Sequence, residues 1–144
     1  MTDERPLGEE LDWAGGKAPG HQVLEGRTVA LRPLDPDRDA EALFRISHEP
    51  DGDPGIWRYL SVGPFDDVGQ LRATLAAVGG GEDPVWFTVV PREEEVPMGQ
   101  VTYLRIDPPM GSIEIGNIWF GPGLRQTTAA TEAIYLLGRH AFRD

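Results

Sequence analysis

The sequence predicts an α+β fold built on a mostly antiparallel sheet. Three observations indicate it: a lone strand-like segment precedes two amphipathic segments with helical spacing, three strand-like segments then follow one another across short turns, and a long helical segment comes last. The order strand, helix, helix, strand, strand, strand, helix lacks the repeating strand–helix–strand unit of parallel sheets. A chain of 144 residues suits one such domain.

The domain is expected to begin after an extended leader. Residues 1–22 contain six Gly or Pro residues and show no apolar period, so we predict no regular structure there. Leu11 and Trp13 are expected to pack onto the domain surface, because an isolated indole in a polar segment usually finds an apolar contact. Residues 23–144 form the predicted domain.

The first half of the domain holds one strand and two helices. Residues 28–34 alternate apolar and polar side chains and predict the first strand, and residues 35–47 open with acidic residues and continue with a helical apolar face. Residues 49–55 predict a loop because two prolines interrupt them. A second helix is predicted over residues 66–78, ended by a glycine triplet that lacks the lysine of a phosphate-binding loop.

The second half predicts an antiparallel meander followed by a helix. Residues 85–90 and 97–106 flank an acidic turn and should form a hairpin, and residues 112–120 should add the fourth strand. Gly116 in the middle of that strand favours a bulge or a close approach of another backbone. The alanine-rich stretch 124–142 predicts the final helix.

Composition and charge exclude several classes of function. The chain has no cysteine, which excludes a disulfide framework, a thiolate nucleophile and a Cys-ligated metal. His21, His48 and His140 are scattered without a partner at ligand spacing, so we expect no metal site. No apolar run spans a bilayer and no secretory signal is visible, which predicts a cytoplasmic protein without a membrane partner.

Net charge points to the kind of partner. At -11, spread along the chain, the charge should repel nucleic acid. The same charge would favour a cationic substrate such as an amine, although a generally acidic proteome produces the same balance without functional meaning.

The start of the final helix is the most informative point for chemistry. Small side chains crowd its first turn, at Thr127, Thr128, Ala129 and Ala130. Free amides and the positive end of a helix dipole bind anions, and short side chains let a pyrophosphate approach the backbone. The alternative is that these residues were selected for packing alone.

Several segments, taken in order over residues 23–142, resemble the GNAT superfamily of acyl-CoA N-acyltransferases, in particular the branch related to the ribosomal-protein N-terminal acetyltransferases. The matching segments are Leu24-Glu25-Gly26-Arg27, Leu31-Arg32-Pro33-Leu34, Trp57-Arg58-Tyr59-Leu60, Gly63-Pro64-Phe65, Gly99-Gln100-Val101, Arg105-Ile106-Asp107-Pro108 and Ser112-Ile113-Glu114-Ile115-Gly116. The resemblance implies a GNAT-like mixed, mostly antiparallel sheet, and acetyl-CoA or another acyl-CoA as co-substrate.

The resemblance also implies which residues hold the co-substrate. Arg125, Thr128 and Ala130, followed by Thr131-Glu132-Ala133, stand in the family's cofactor motif, with Thr128 where glycine is usual. Threonine adds bulk and a hydroxyl donor, so we expect altered affinity and not lost binding. The implied contacts are the pantetheine arm on the backbone of Ile118, Trp119 and Phe120, and the pyrophosphate on the amides of Gln126, Thr127, Thr128, Ala129 and Ala130.

Glu114 on the fourth strand is the candidate general base. A carboxylate there could take a proton from an ammonium nucleophile, directly or through water; the alternative is a solvent-facing or ion-paired strand residue. Asn117 on the same strand could face the acceptor substrate. Trp57, Tyr59 and Phe65 could form the walls of the acceptor cleft, although aromatic residues more often belong to the core.

The predicted function is transfer of an acetyl or other acyl group to the primary amine of a protein N-terminus or a small molecule. Complete family members continue with a fifth strand, a helix and two more strands, so the C-terminal strands of the fold are expected to be missing here and the fourth strand to be an edge. A truncated chain, a homodimer that completes the sheet, or a remnant with a new role would each explain this, and the lack of a helix-stop signal favours truncation. The alternative function is a non-catalytic binding module that pairs through this strand; a carrier of apolar ligands has only the aromatic residues in its favour.

Overall fold

The computed structural model describes residues 6–144, so the first five residues of the predicted leader lie outside it. It confirms the α+β class. The elements are β1 (Leu24–Glu25), β2 (Val29–Pro33), α1 (Pro36–Ser47), a 3-10 helix (Pro54–Tyr59), α2 (Val68–Gly79), β3 (Val85–Pro91), β4 (Gly99–Asp107), β5 (Ser112–Phe120) and α3 (Thr128–Arg143). The five strands form one sheet in sequential order, and each pair is antiparallel. The short strand β1 was not predicted.

Capping side chains set where the helices begin. Asp35 accepts from the amides of Asp37 and Arg38 at the start of α1, and Asp67 accepts from Gln70 at the start of α2. Helix α3 begins at Thr128, later than the predicted residue 124, because the preceding turn places Gln126 at a positive φ of 60°.

The sheet separates two apolar clusters. Helix α3 covers one face, where Tyr103 is fully buried and donates a 2.5 Å hydrogen bond to the carbonyl of Leu137. That burial raises the pKa of the Tyr103 phenol, so its hydroxyl stays a donor. Helices α1 and α2 cover the other face, where Leu43 and Leu71 pack with Trp119 of β5. Several residues of this second cluster, among them Trp57 and Trp119, line the cavity described below.

Strands β4 and β5 pair through two irregularities. Thr102 lies opposite Gly116 and Gln100 opposite Trp119, so β5 carries one extra residue between these pairs. This confirms the bulge predicted at Gly116, although the positive φ, 46°, falls on Asn117. The second irregularity adds a residue to β4, where Arg105 has a φ of 49°.

Strand β5 is the last strand of the described sheet, as expected. Its apolar side chains are only partly exposed: Ile115 and Phe120 pack against the α3-side cluster, while Ile118 is 40% exposed. Ile118 is one of the two residues at the bulge of β5, which is why it is more exposed than Ile115 and Phe120.

The described part of the leader lies against the turn between β4 and β5. Trp13 donates from its indole nitrogen to the carbonyl of Pro109 at 2.8 Å, and the Gly16 amide donates to Pro108 at 2.7 Å. The packing expected of Leu11 is wrong, because that side chain is 85% exposed.

Candidate active site

The first turn of α3 presents unpaired backbone donors. Thr127 caps the helix: its hydroxyl accepts from the Ala130 amide at 3.2 Å and donates to the carbonyl of Leu124 at 2.7 Å. Within residues 6–144, no hydrogen bond is made by the amides of the four preceding positions, Gln126, Thr127, Thr128 and Ala129. The predicted row of five amides is therefore four, since Ala130 has a partner inside the chain. Four aligned donors at a positive dipole end suit an anion.

A groove of about 250 Å³ lies at the start of α3, next to three of these four residues. Thr127, Thr128 and Ala129 line one side, and Glu93 and Glu94 of the turn between β3 and β4 also line it. The acidic turn was predicted only as a connection. Its position next to the start of α3 is a relationship between distant segments of the chain, which no local pattern reveals.

Arg125 is engaged by an acidic partner. Its Nη1 lies 2.8 Å from Asp53 Oδ2, and its Nε donates to the carbonyl of Phe120 at 3.0 Å. Asp53 caps the 3-10 helix by accepting from the Gly55 amide at 2.8 Å. That amide, together with the Arg125 guanidinium, lowers the pKa of Asp53. The predicted motif residue therefore links the approach to α3 with the 3-10 helix.

The backbone groups expected to hold a pantetheine arm lie at the end of β5. The Phe120 carbonyl already accepts from Arg125. Trp119 turns its side chain into the α1–α2 side, where it is buried, and Ile118 is half-exposed at the bulge. Ile118, Trp119 and Phe120 thus end the strand that precedes α3 in the chain. Of their three carbonyls, that of Phe120 is already occupied by Arg125.

A cavity of about 130 Å³ lies between α2, the 3-10 helix and the sheet. Three of the four predicted substrate residues line it: Trp57, Phe65 and Asn117. The rings of Trp57 and Phe65 meet edge to face at 5.2 Å. The fourth predicted substrate residue, Tyr59, does not line the cavity. It is the last residue of the 3-10 helix, and its side chain is 89% exposed.

Among the cavity residues that were not predicted as site residues, Trp86 and Gln100 carry buried polar atoms without a described partner. Gln100 is 2% exposed and its Oε1 accepts from the indole of Trp119 at 3.0 Å, which leaves the Nε2 donor without a partner in the described chain. The indole nitrogen of Trp86 is likewise buried without a described partner. A glutamine in an apolar strand was the available signal, since buried polar groups normally have partners.

Glu114 shares the cavity's face of the sheet but lies outside the cavity. Glu114 on β5 lies opposite Leu104 on β4, and residues that lie opposite each other project to the same face of the sheet. Leu104 shares its face with Thr102 and Gln100, because alternate residues of a strand point the same way. Its Oε2 lies 2.5 Å from Arg105 Nη1, and its side chain is 42% exposed. Glu114 is therefore ion-paired on the strand, as in the alternative to a general base, and its side chain remains accessible to solvent.

His48 holds the loop that carries Phe65. Its Nε2 accepts from the Phe65 amide at 2.9 Å, so the proton of the neutral ring lies on Nδ1, which is 3.2 Å from the Phe44 carbonyl. The ring stacks on Phe44 at 4.0 Å and is buried, and this desolvation lowers the pKa of His48. A neutral histidine is therefore part of the cavity's support.

Residues 6–144 contain neither a metal-binding cluster nor a membrane-spanning helix. No cluster of three or more His, Asp or Glu side chains could hold a metal ion. None of the described helices has the length and apolarity needed to cross a membrane.

Comparison with known proteins places the chain in a family. Residues 28–144 match the family model described as an acetyltransferase (GNAT) domain. A GCN5-related N-acetyltransferase from Brucella melitensis superposes with a TM-score of 0.85 at 30% identity, covering 91% of this chain and 59% of that one. The chain thus spans about six-tenths of the length of the Brucella protein. A search of curated proteins finds no match.

Two further structures are similar. A probable acetyltransferase of the GNAT family from Chromobacterium violaceum ATCC 12472 has a TM-score of 0.84 and 33% identity, with 96% of this chain and 69% of that chain covered. A proposed ribosomal-protein-serine acetyltransferase from Vibrio cholerae has a TM-score of 0.66 at 16% identity, covering 84% of this chain and 67% of that one, which shows a shared fold alone. The match over residues 28–144 and the identity to the Chromobacterium protein show that this chain belongs to the GNAT acetyltransferase family.

Proposed function

We propose that the protein transfers an acetyl group from acetyl-CoA to a primary amine. The observation that carries the proposal is the start of α3, where four amides without described partners face outward beside small side chains. Backbone donors at a helix N-terminus fit a pyrophosphate, because they match its charge and acceptor oxygens. Membership of the GNAT family supports the same use.

In this proposal, the start of α3 and strand β5 bind the co-substrate, and a side chain of β5 accepts the proton. The amides of 126–129 would bind the pyrophosphate, and the exposed edge of β5 from Ile118 to Phe120 offers backbone groups to the pantetheine arm. Acetyl-CoA supplies the acyl group as an activated thioester. Glu114, on the cavity's face of β5 and open to solvent, would accept the proton of an ammonium acceptor, directly or through water.

The acceptor amine would lie against the cavity wall formed by Trp57, Phe65 and Asn117. A net charge of -11 favours the approach of a cationic amine. A protein N-terminus is the acceptor suggested by the resemblance to the ribosomal-protein branch, and a small-molecule amine presents the same reacting group.

Calorimetry with acetyl-CoA tests the proposal. Thr128→Asp adds a negative charge beside the unpaired amides, where it also favours the helix dipole, so folding should be kept while acetyl-CoA affinity falls at least tenfold. Thr128→Asn is the uncharged control, and Thr131→Asp places the same charge one turn further along the exposed helix surface. Equal affinity of the wild type and Thr128→Asp, or no acetyl-CoA binding by the wild type, would overturn the proposal.

One observation favours a second candidate function. The outer edge of β5 has no strand beyond it in the described sheet, and Ile118 is exposed there. Such an edge can pair with a strand of another chain, so the protein could instead act as a non-catalytic assembly module. Light scattering over a concentration series separates the two: a monomer at all concentrations contradicts self-pairing.

A further inference from the structure

The 130 Å³ cavity combines an apolar wall with unused hydrogen-bond donors. Among the described residues that line it, no side chain is ionisable. A charged group entering the cavity would lose its hydration without gaining an opposite charge, which costs several kcal/mol on the usual scale. The wall therefore selects an uncharged ligand group.

The donors define what that group must carry. Three indoles line the cavity, and two of them have partners: Trp57 donates to the Ser47 carbonyl at 3.0 Å and Trp119 to Gln100 at 3.0 Å. Trp86 has no acceptor for its Nε1, and Gln100 has none for its Nε2. Gln100 cannot reverse its amide without losing the Trp119 bond, so its free atom is a donor. Among the residues that line the cavity, Trp86 and Gln100 are thus the two whose buried donors lack an acceptor oxygen.

The strand register places the two donors near each other. Trp86 lies opposite Thr102 and Thr88 opposite Gln100, which makes Trp86 and Gln100 diagonal neighbours on one face of β3 and β4. Thr88, on the same face, donates its hydroxyl to Asp39 at 2.6 Å. Thr102 Oγ1 and Arg32 Nε are also buried without a described partner on this face, but neither residue lines the cavity. Unpaired buried donors are costly, and a ligand oxygen would satisfy them.

The volume sets the size of the group. A cavity of roughly 150 Å³ with an apolar lining admits benzene, so this cavity of about 130 Å³ matches one six-membered ring. Asn117, at the bulge of β5, lines the same cavity and connects it to the strand that carries Glu114. The ring therefore belongs to the acceptor side of the site.

Building on the proposed acetyltransferase function, we infer that the cavity binds an uncharged ring-sized group of the acceptor that presents a hydrogen-bond-accepting oxygen to Trp86 and Gln100. The acceptor amine itself stays outside, toward the exposed face of β5. A phenol is the simplest group with this chemistry, and toluene is its match in shape without the oxygen.

Binding of phenol and toluene to the full chain tests the inference without acetyl-CoA. The four tryptophans give separate indole N–H signals in ¹⁵N-labelled protein, and the exposed Trp13 is an internal reference. We expect phenol to bind about fivefold more tightly than toluene, the value of one ordinary hydrogen bond. We also expect the Trp86 signal to move downfield with phenol and not with toluene, and benzoate and benzylammonium to bind more weakly than either.

Two matched variants isolate the donor. Trp86→Phe and Trp57→Phe remove the same ring volume from the wall, but Trp86→Phe alone removes an unpaired donor. The preference for phenol should shrink in Trp86→Phe and persist in Trp57→Phe. Equal affinities for phenol and toluene, or an unchanged preference in Trp86→Phe, overturn the inference; if that variant does not fold, the wild-type Trp86 signal decides.

Acetyl transfer provides the second arm. Tyramine and phenethylamine differ by one hydroxyl, and tyramine should have a kcat/KM at least fivefold higher. If acetyl-CoA binds and both amines react equally, the inference fails and the proposed function stands. If acetyl-CoA does not bind, the proposed function fails, and the phenol titration still reports on the cavity.

Discussion

The guanidinium of Arg125 lies 2.8 Å from the carboxylate of Asp53 and thereby joins the turn before α3 to the cap of the 3-10 helix. The same helix carries Trp57 into the cavity wall. An anion at the start of α3 would compete with Asp53 for Arg125, so the two halves of the candidate site are connected through one ion pair.

Asp53→Asn should tighten acetyl-CoA binding about threefold, because it frees Arg125 for the anion while its side-chain oxygen can still accept from Gly55. Calorimetry on the single and double variants measures this. Arg125→Gln should weaken binding, and adding Asp53→Asn to it should change nothing further. An equal gain from Asp53→Asn in both backgrounds would show that Arg125 is not the mediator.

Neutralising the acidic side of the groove should also raise affinity. Glu93→Gln with Glu94→Gln removes two negative charges that line it, and we expect acetyl-CoA to bind about three- to tenfold more tightly at low salt. Because exposed charges are screened, the gain should shrink at 0.5 M salt. The control is Glu9→Gln with Glu10→Gln, an equal change of net charge in the leader; a similar gain there would contradict a local effect.

Glu114→Gln should lower kcat about 100-fold or more while leaving the Kd for acetyl-CoA unchanged, if the carboxylate is the base. Steady-state kinetics and calorimetry separate the two quantities. Arg105→Gln breaks the same 2.5 Å ion pair but keeps the carboxylate, and should retain most of the activity. A wild-type kcat in Glu114→Gln would assign Glu114 to the ion pair alone.

Stability should fall as the pH drops through the range below 6.5. Burial lowers the pKa of His48 in the folded protein, so between that value and 6.5 the unfolded chain binds more protons than the folded one. The stabilisation is full above pH 6.5 and is lost toward the folded pKa, at no more than about 1.4 kcal/mol per pH unit.

Urea unfolding at pH 7.5, 6.5 and 5.5 measures this loss. His48→Asn should remove the contribution of His48 to the slope, whereas His21→Asn, an exposed position, should leave the slope as in the wild type. Parallel pH curves for the wild type and His48→Asn would contradict the assignment of the slope to the buried His48.

The site illustrates how far sequence reasoning reached. The small residues at the start of α3 and the cavity positions of Trp57, Phe65 and Asn117 were predicted, from local composition and from the family resemblance. Tyr59 was predicted as a wall residue, but the 3-10 helix ends at Tyr59 and exposes it. Tyr59 lies two residues beyond Trp57, and in a helix of about three residues per turn the two side chains point in different directions.

The sequence by itself determined the order of the three α-helices and of the four longer strands, the acidic starts of α1 and α2, and the bulge near Gly116, because caps, turns and periodicity act over a few neighbouring residues. Only the tertiary structure decided that Arg125 meets Asp53, that Glu93 and Glu94 border the groove at the start of α3, and that Trp86 and Gln100 are left with free donors. Those relationships depend on strand register and on contacts between distant segments, and a single added residue in β5 resets them.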